Sequence, residues 1–348
     1  MQLRKQVVPI VAIVVSLLLL AALFLVRSVG TGAEPTAKSP AAAPGQQDPD
    51  EVLDEHTFRR VSNPAGTEVV DKESGDVVAR LTDKARTAVF YGPKHTFAEP
   101  DTTDATVTTN AWVRVAPHQW KQGGEKEKWF PKWLAEYKGS KKPGALEIGT
   151  QYFQGAPDKK DEDGVRYAGD ADFGPMKDDG SGLRDVGGDY NDYMGITVSH
   201  PDKQDDPPEK EDANALDCSG FLRIVLGYRM GYPMFGKNDT KGDGLQRQVQ
   251  GMVDHAPGVL LVKDTGKRPD LAKATKNMLP GDIVFFETDG EPGLDHSGFY
   301  MGKDSRGKHR FMSSRDTING PTMGDVAGPS ILDGNGLFAN NFRAVRRL

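Results

Sequence analysis

Hydrophobic and polar positions along this chain fall into distinct regimes. Residues 7–26 (VVPIVAIVVSLLLLAALFLV) are apolar almost without a break, interrupted only by Pro9 and Ser16. A helix of that length, at about 1.5 Å per residue, spans about 30 Å, the thickness of a bilayer's hydrocarbon core. No face of the segment is polar, so it does not read as a helix resting on a soluble core. Arg4 and Lys5 precede it and Arg27 follows. The positive pair favours an N-terminus inside and the rest of the chain outside. Residues 1–27 therefore read as a transmembrane signal-anchor. A signal peptide cut near Gly30-Thr31-Gly32-Ala33 is the alternative, although its apolar core is normally about 7–15 residues. The expected location is the cell membrane, single-pass, with the folded part extracytoplasmic, or secreted if the segment is cleaved.

Residues 28–56 change character. They are rich in Ala, Pro, Gly and Ser and have few large apolar residues. Such a segment buries too little surface to offset its ordering entropy and reads as a flexible linker. Short β-branched and aromatic runs follow at 67–70, 76–81, 88–91 and 106–115, separated by Gly, Asp and Lys. They predict a small β-rich region over 57–140. Apolar spacing predicts helices over 129–137, after Pro131, and over 145–153, stopping at Gly155-Ala156-Pro157. Residues 158–211 are dominated by Asp, Lys, Gly and Pro and read as a long irregular stretch.

The pattern then sharpens. Phe221, Leu222, Val225, Leu226 and Met230 lie at helical spacing, so 219–230 reads as an amphipathic helix. Leu279-Pro280-Gly281-Asp282 is a turn launching the strand 283–286, and 288–294 is a loop with hairpin chemistry. Residues 296–302 are a second strand, 303–308 a turn, and 310–313 the start of a third. A helix followed by an antiparallel meander predicts an α+β fold over 141–348, with the helix packed on the sheet.

Composition changes this picture in two ways. The 44 Lys+Arg against 50 Asp+Glu give a net charge of −6 over 348 residues, which argues against a nucleic-acid partner. There is one cysteine, Cys218, at the first turn of the expected helix. In a chain outside the cytoplasm it cannot form an internal disulfide, so it is a buried thiol, an intermolecular link or a nucleophile. A thiol at a helix start faces the positive end of the dipole, and its pKa is expected to fall from about 8.5 toward neutrality. His296 opens a strand next to the one the helix should pack on, within reach as a general base and acid. A third polar residue on the following strand would hold the imidazole in one tautomer. Residues 159–170 (KKDEDGVRYAGD) echo a calcium loop, but Lys159 stands at position one and Asp170 at position twelve. No Cys/His cluster has zinc spacing and no phosphate-binding or dinucleotide fingerprint is present. No metal and no cofactor are expected.

Three motifs carry a resemblance. Leu216-Asp217-Cys218-Ser219-Gly220-Phe221 resembles the cysteine motif of the NlpC/P60 family of cell-wall peptidases. Leu279-Pro280-Gly281-Asp282-Ile283-Val284-Phe285-Phe286 resembles the strand before the family histidine, and His296-Ser297-Gly298-Phe299-Tyr300-Met301-Gly302 its histidine strand. They occur in the family's order, and the resemblance covers about residues 145–348. It implies a papain-like α+β fold and a cysteine endopeptidase that hydrolyses the stem peptides of bacterial peptidoglycan, commonly between D-Glu and a diamino acid. Carried over by position, Cys218 is the nucleophile and His296 the base and acid. Ser313 stands where the family strand often has His, Asn or Gln, and Arg315 nearby would repel an imidazolium. A Tyr-x-Gly before the cysteine commonly lines the family site. Here Tyr193 is preferred over Tyr167, and Asp217 and Ser219 are counted with it as substrate-binding. A non-catalytic wall-binding scaffold, an amidase or acyltransferase on the same frame, and a partner-linked redox thiol are the alternatives.

Overall fold

The computed structural model describes residues 49–348. The apolar run at 7–26 lies outside the described residues. Among the described residues no helix is long and apolar enough to cross a membrane. Among the described residues the expected single-pass anchoring by a helix therefore finds no counterpart. The last residues of the expected linker form a short helix, α1 (Pro49–Asp54), in which Val52 is fully buried.

The expected α+β balance is also corrected. Strand outweighs helix, and the sheets are antiparallel throughout, two large ones and two ribbons. With 40 glycines and 23 prolines the chain is punctuated too often for long helices. Its apolar residues are buried mainly on strands.

The first sheet is a meander of β1 (His56–Val61), β2 (Gly66–Asp71), β3 (Val77–Thr82), β4 (Thr87–Phe97) and β5 (Val107–Val115), paired in sequence order. One face is covered by α2 (Phe130–Tyr137). Pro131 sits in its first turn, where the missing N–H costs nothing. Phe130, Trp133, Leu134 and Tyr137 recur at helical spacing, and the first three are buried on Val69, Leu81, Phe90 and Trp120.

Beyond it come α3 (Ala145–Gly149) and a 3-10 turn, where the pattern predicted one helix over 145–153. The stretch expected to be irregular holds two ribbons and a short helix. These are β6 (Lys159–Lys160) with β7 (Arg166–Ala168), α4 (Tyr190–Met194), and β8 (Val198–His200) with β9 (Lys203–Asp206).

The cysteine helix is α5 (Cys218–Leu222), which continues into a π-helical turn at Arg223–Tyr228. Phe221, Leu222, Ile224, Val225 and Leu226 are fully buried, and Phe221 meets Phe299 edge-to-face at 5.8 Å. Gly220 permits a close backbone approach. A Cβ there would collide with the Gly188 carbonyl oxygen and lie 3.0 Å from Asp189 Cα. Next are α6 (Val249–His255), β10 (Val259–Val262), α7 (Leu271–Thr275), β11 (Ile283–Phe286), β12 (His296–Lys303), β13 (His309–Arg315), β14 (Gly320–Thr322), α8 (Leu337–Asn341) and β15 (Phe342–Arg347). The second sheet runs β10-β15-β11-β12-β13-β14.

The two large sheets are joined. Arg347 on β15 forks onto Asp282 at 2.7 and 2.8 Å and donates to Thr82 Oγ1 of β3 at 2.9 Å. Asp282 in turn accepts from the Leu279 N–H at 2.7 Å, which holds the turn before β11. Residues 57–140 and 141–348 thus fall within one unit, Gln46–Leu348.

Candidate active site

Cys218 owes its position to the cap of its helix. Asp217 is extended (φ −64°, ψ 179°), and its Oδ1 accepts from the Gly220 N–H at 2.7 Å and the Ser219 hydroxyl at 2.8 Å. Arg247 clamps both flanking residues, donating to Asp217 Oδ2 at 3.0 Å and Ser219 Oγ at 2.9 Å. Behind it the Arg223 Nε lies 3.0 and 2.9 Å from the two Asp189 oxygens, with both side chains buried. Against the burial that would raise it, Arg223 and Arg247 hold Asp189 below its ordinary value. The start of the cysteine helix is therefore braced by a charge network reached from four segments.

His296 opens β12, paired through Phe286 to β11. Its ring is 8% exposed and packs on Phe286 and Phe338, with centroids at 5.8 and 5.2 Å. Its Nε2 lies 3.1 Å from Ser313 Oγ on β13. Among the described residues no hydrogen bond joins Cys218 to His296; with Nε2 at Ser313, Nδ1 is the ring nitrogen left for one. Cys218, 2% exposed, directs Sγ at the Asp295 carbonyl oxygen, 3.5 Å away and one residue before the histidine. Cys218 and His296 line one cavity of about 440 Å³ with Phe173, Asp295, Arg315 and Phe338.

The electrostatics differ from the sequence expectation. Burial pushes the Cys218 thiol up to about 12, Asp217 adds to the rise, and the Ser297 N–H and hydroxyl oppose it. Burial, with the Arg315 cation second, pushes His296 down to about 3. The helix start does not lower the thiol, because burial penalises the thiolate first and the Asp217 cap carboxylate then adds a negative charge beside the sulfur. The pair rests as neutral thiol and neutral imidazole.

The structure brings Cys218, His296 and Ser313 together. It sets Tyr193, Asp217 and Ser219 away from the cavity lining. Tyr193 is buried, donates to the Gly169 carbonyl at 2.9 Å and carries Arg166 over its ring at 4.7 Å. Asp217 and Ser219 are 1% and 2% exposed and turned to Arg247. Sequence reasoning missed Arg247, Ser297 and Phe338. Ser297 follows the histidine directly, and that adjacency was the one available signal.

Asp161 of the calcium-like stretch is a turn residue, accepting from the N–H groups of Asp163 and Val165 at 3.0 and 2.9 Å. Among the described residues no group of three or more His, Cys, Asp or Glu is arranged to hold a metal ion. A larger depression of about 700 Å³ on the first sheet, lined by Asp71, Asp76, Tyr91 and Asn110, holds neither cysteine nor histidine. Compared with family models, with curated proteins and with solved structures, the chain matches none.

Proposed function

We propose that this chain is a cysteine endopeptidase that cuts stem-peptide bonds of bacterial peptidoglycan. One observation carries the reading: Cys218 and His296 share a cavity, and Ser313 holds the far nitrogen of His296 at 3.1 Å. The resemblance of the motifs around Cys218, Asp282 and His296 to NlpC/P60 peptidases supplies the substrate class.

The neutral resting pair defines how the chemistry would run. As Sγ bonds to the peptide carbonyl carbon, its proton passes to His296 Nδ1 and the carbonyl π pair moves onto oxygen. Coupling the two events avoids an isolated thiolate, which the buried site disfavours. The first-turn N–H groups of Cys218 and Ser219 have no intrahelical acceptor and are available to the oxyanion. Collapse breaks the C–N bond, and the leaving nitrogen takes the proton from Nδ1. Water then attacks the thioester, giving one proton to Nδ1; the carboxylic product leaves and Sγ recovers that proton. The Ser313 oxygen accepts a hydrogen bond from Nε2–H throughout, which keeps Nδ1 the basic nitrogen.

A second reading draws on the same electrostatics. A thiol pushed up to about 12 beside an imidazole near 3 also suits a non-catalytic cleft that binds wall peptides. A partner-linked disulfide fits poorly with a sulfur carried by a residue 2% exposed. Digestion of purified peptidoglycan by the full chain, Cys218→Ala and His296→Ala, read by mass spectrometry of released fragments, decides. Peptide-bond products absent from both variants are expected. Release no greater than that of Cys218→Ala sinks the peptidase, and products cut at an amide to sugar would make it an amidase.

A further inference from the structure

Arg315 sits on β13 two residues after Ser313, so strand alternation puts both on one face. It is 4% exposed and lines the cavity with Cys218 and His296. Its Nη1 donates to the Gly328 carbonyl at 2.6 Å and Nη2 to Gly324 at 3.2 Å, while the buried Nε has no partner. The Phe338 ring lies 5.2 Å from the guanidinium carbon.

Its partners set this arginine apart. Arg223, Arg310 and Arg347, also buried, each hold an aspartate at 2.9 Å or closer. Arg114 and Arg346 lack a carboxylate but each donate to three carbonyls, and neither lines the cavity. Among the described residues Arg315 makes no ion pair. The acids that feel its charge through space are occupied: Glu99 by Thr322 and Met323, and Asp325 by Arg310, Arg306 and Thr103. Two acids of the cavity wall are occupied as well. Asp295 accepts from Thr288 and Asp289, and Asp316 from the Arg184 N–H.

A buried cation beside a base that must become a cation opposes catalysis unless something neutralises it. We propose that Arg315 is a specificity-determining residue that receives a free carboxylate of the substrate close to the scissile carbonyl. It thereby separates the acid form of a stem peptide from its carboxamide. The inference rests on the peptidase reading and deepens it. A docked carboxylate would fill the unused guanidinium donors and cancel the charge facing His296, so the right substrate would complete the base it needs.

The test uses the full chain and two synthetic peptides, L-Ala-γ-D-Glu-L-Lys-D-Ala with the glutamyl α-carboxylate free or as its carboxamide. Wild type should favour the acid in kcat/KM by about ten- to hundredfold, the range of one charge-assisted hydrogen bond. Arg315→Gln should abolish the preference by slowing the acid peptide while the carboxamide, no longer opposed by the cation, holds its rate or gains, and Arg315→Lys should keep part of the preference. Equal turnover of both peptides by wild type, or an equal fall for both in Arg315→Gln, overturns the proposal. Calorimetric titration of Cys218→Ala with the same peptides separates the two readings. Tighter binding of the acid without wild-type turnover sinks the peptidase and leaves the carboxylate site; equal binding sinks the site.

Discussion

Removing the buried imidazole should change how stability depends on pH. His296 is pushed down to about 3 by burial and then by Arg315, against about 6.5 in an unfolded chain. A group with a depressed native value contributes stability that is present above the unfolded pKa. That stability is lost as pH falls toward the native one, because only the unfolded chain takes up the proton. Each pH unit below about 6.5 then costs about 1.4 kcal/mol until the native value is approached. Between pH 7.5 and pH 5 the loss sums to about 2 kcal/mol, and any native value below about 4 gives nearly the same figure. Urea unfolding of wild type and His296→Gln at the two pH values measures it. The stability difference between the two proteins should shrink by about 2 kcal/mol at pH 5. His200 and His309 are also pushed down by burial, but they act in both proteins and cancel. Parallel pH profiles would show that His296 titrates normally, and the neutral resting pair would be refuted.

Iodoacetamide should modify Cys218 slowly. A rise from 9.0 to about 12 leaves about a thousandth of the thiolate, and the greater nucleophilicity of a more basic sulfur recovers about 10- to 30-fold. The rate should therefore fall about 30- to 100-fold below an exposed thiol and climb past pH 9; a plateau near neutrality contradicts this. Ser313→Ala should lower kcat on wall peptides about five- to tenfold with KM unchanged, the worth of one hydrogen bond, and Ser313→Asn should restore it. An unchanged kcat would remove Ser313 from the site. Arg223→Met removes the nearer of the two cations on buried Asp189, leaving Arg247 at 3.4 Å, and should cost about 3 kcal/mol in urea unfolding, the low end for a broken buried pair; a loss below about 1 kcal/mol would mean the pair is not buried in solution. Gly220→Ala forces α5 off the Gly188–Asp189 backbone and should cost about 1–3 kcal/mol, and an unchanged Tm would refute that close approach.

The legible parts of the site were those written in local pattern. The unbroken apolar run at 283–286 and the strand at 296–302, with a turn between, set β11 against β12 in the register that carries His296 opposite Phe286. The step onward to Ser313 required only the next strand of the same meander. β15 was not legible. Its sequence, FRAVRR, reads as a charged end, yet it lies between β10 and β11 with every residue buried. Each of its arginines is held from outside the strand's own pattern: Arg343 by Glu287, Arg346 by the Val253 and Ala256 carbonyls, Arg347 by Asp282. No periodicity within six residues carries that information, and the expected three-strand meander lacked β15 as it lacked β10 and β14.

The same limit explains the thiol. Sequence placed Cys218 at a helix start, and a helix start alone stabilises a thiolate. Whether it does so here depends on who else uses the first-turn donors. Asp217 takes the Gly220 N–H, Arg247 pins Asp217 in place, and Asp189 with Arg223 pins Arg247 from behind. Apart from the cap itself, these contacts join residues 30 or more apart in the chain, beyond any helical or strand period. The outcome is a thiol held rigidly but held neutral, sharing a cavity with an imidazole that burial and Arg315 also keep neutral. Such a site does not hold a reactive thiolate while empty. On the peptidase reading, activity must come from what the substrate adds, and of the three cations on the cavity wall, Lys177, Arg184 and Arg315, the buried one with donors to spare is Arg315.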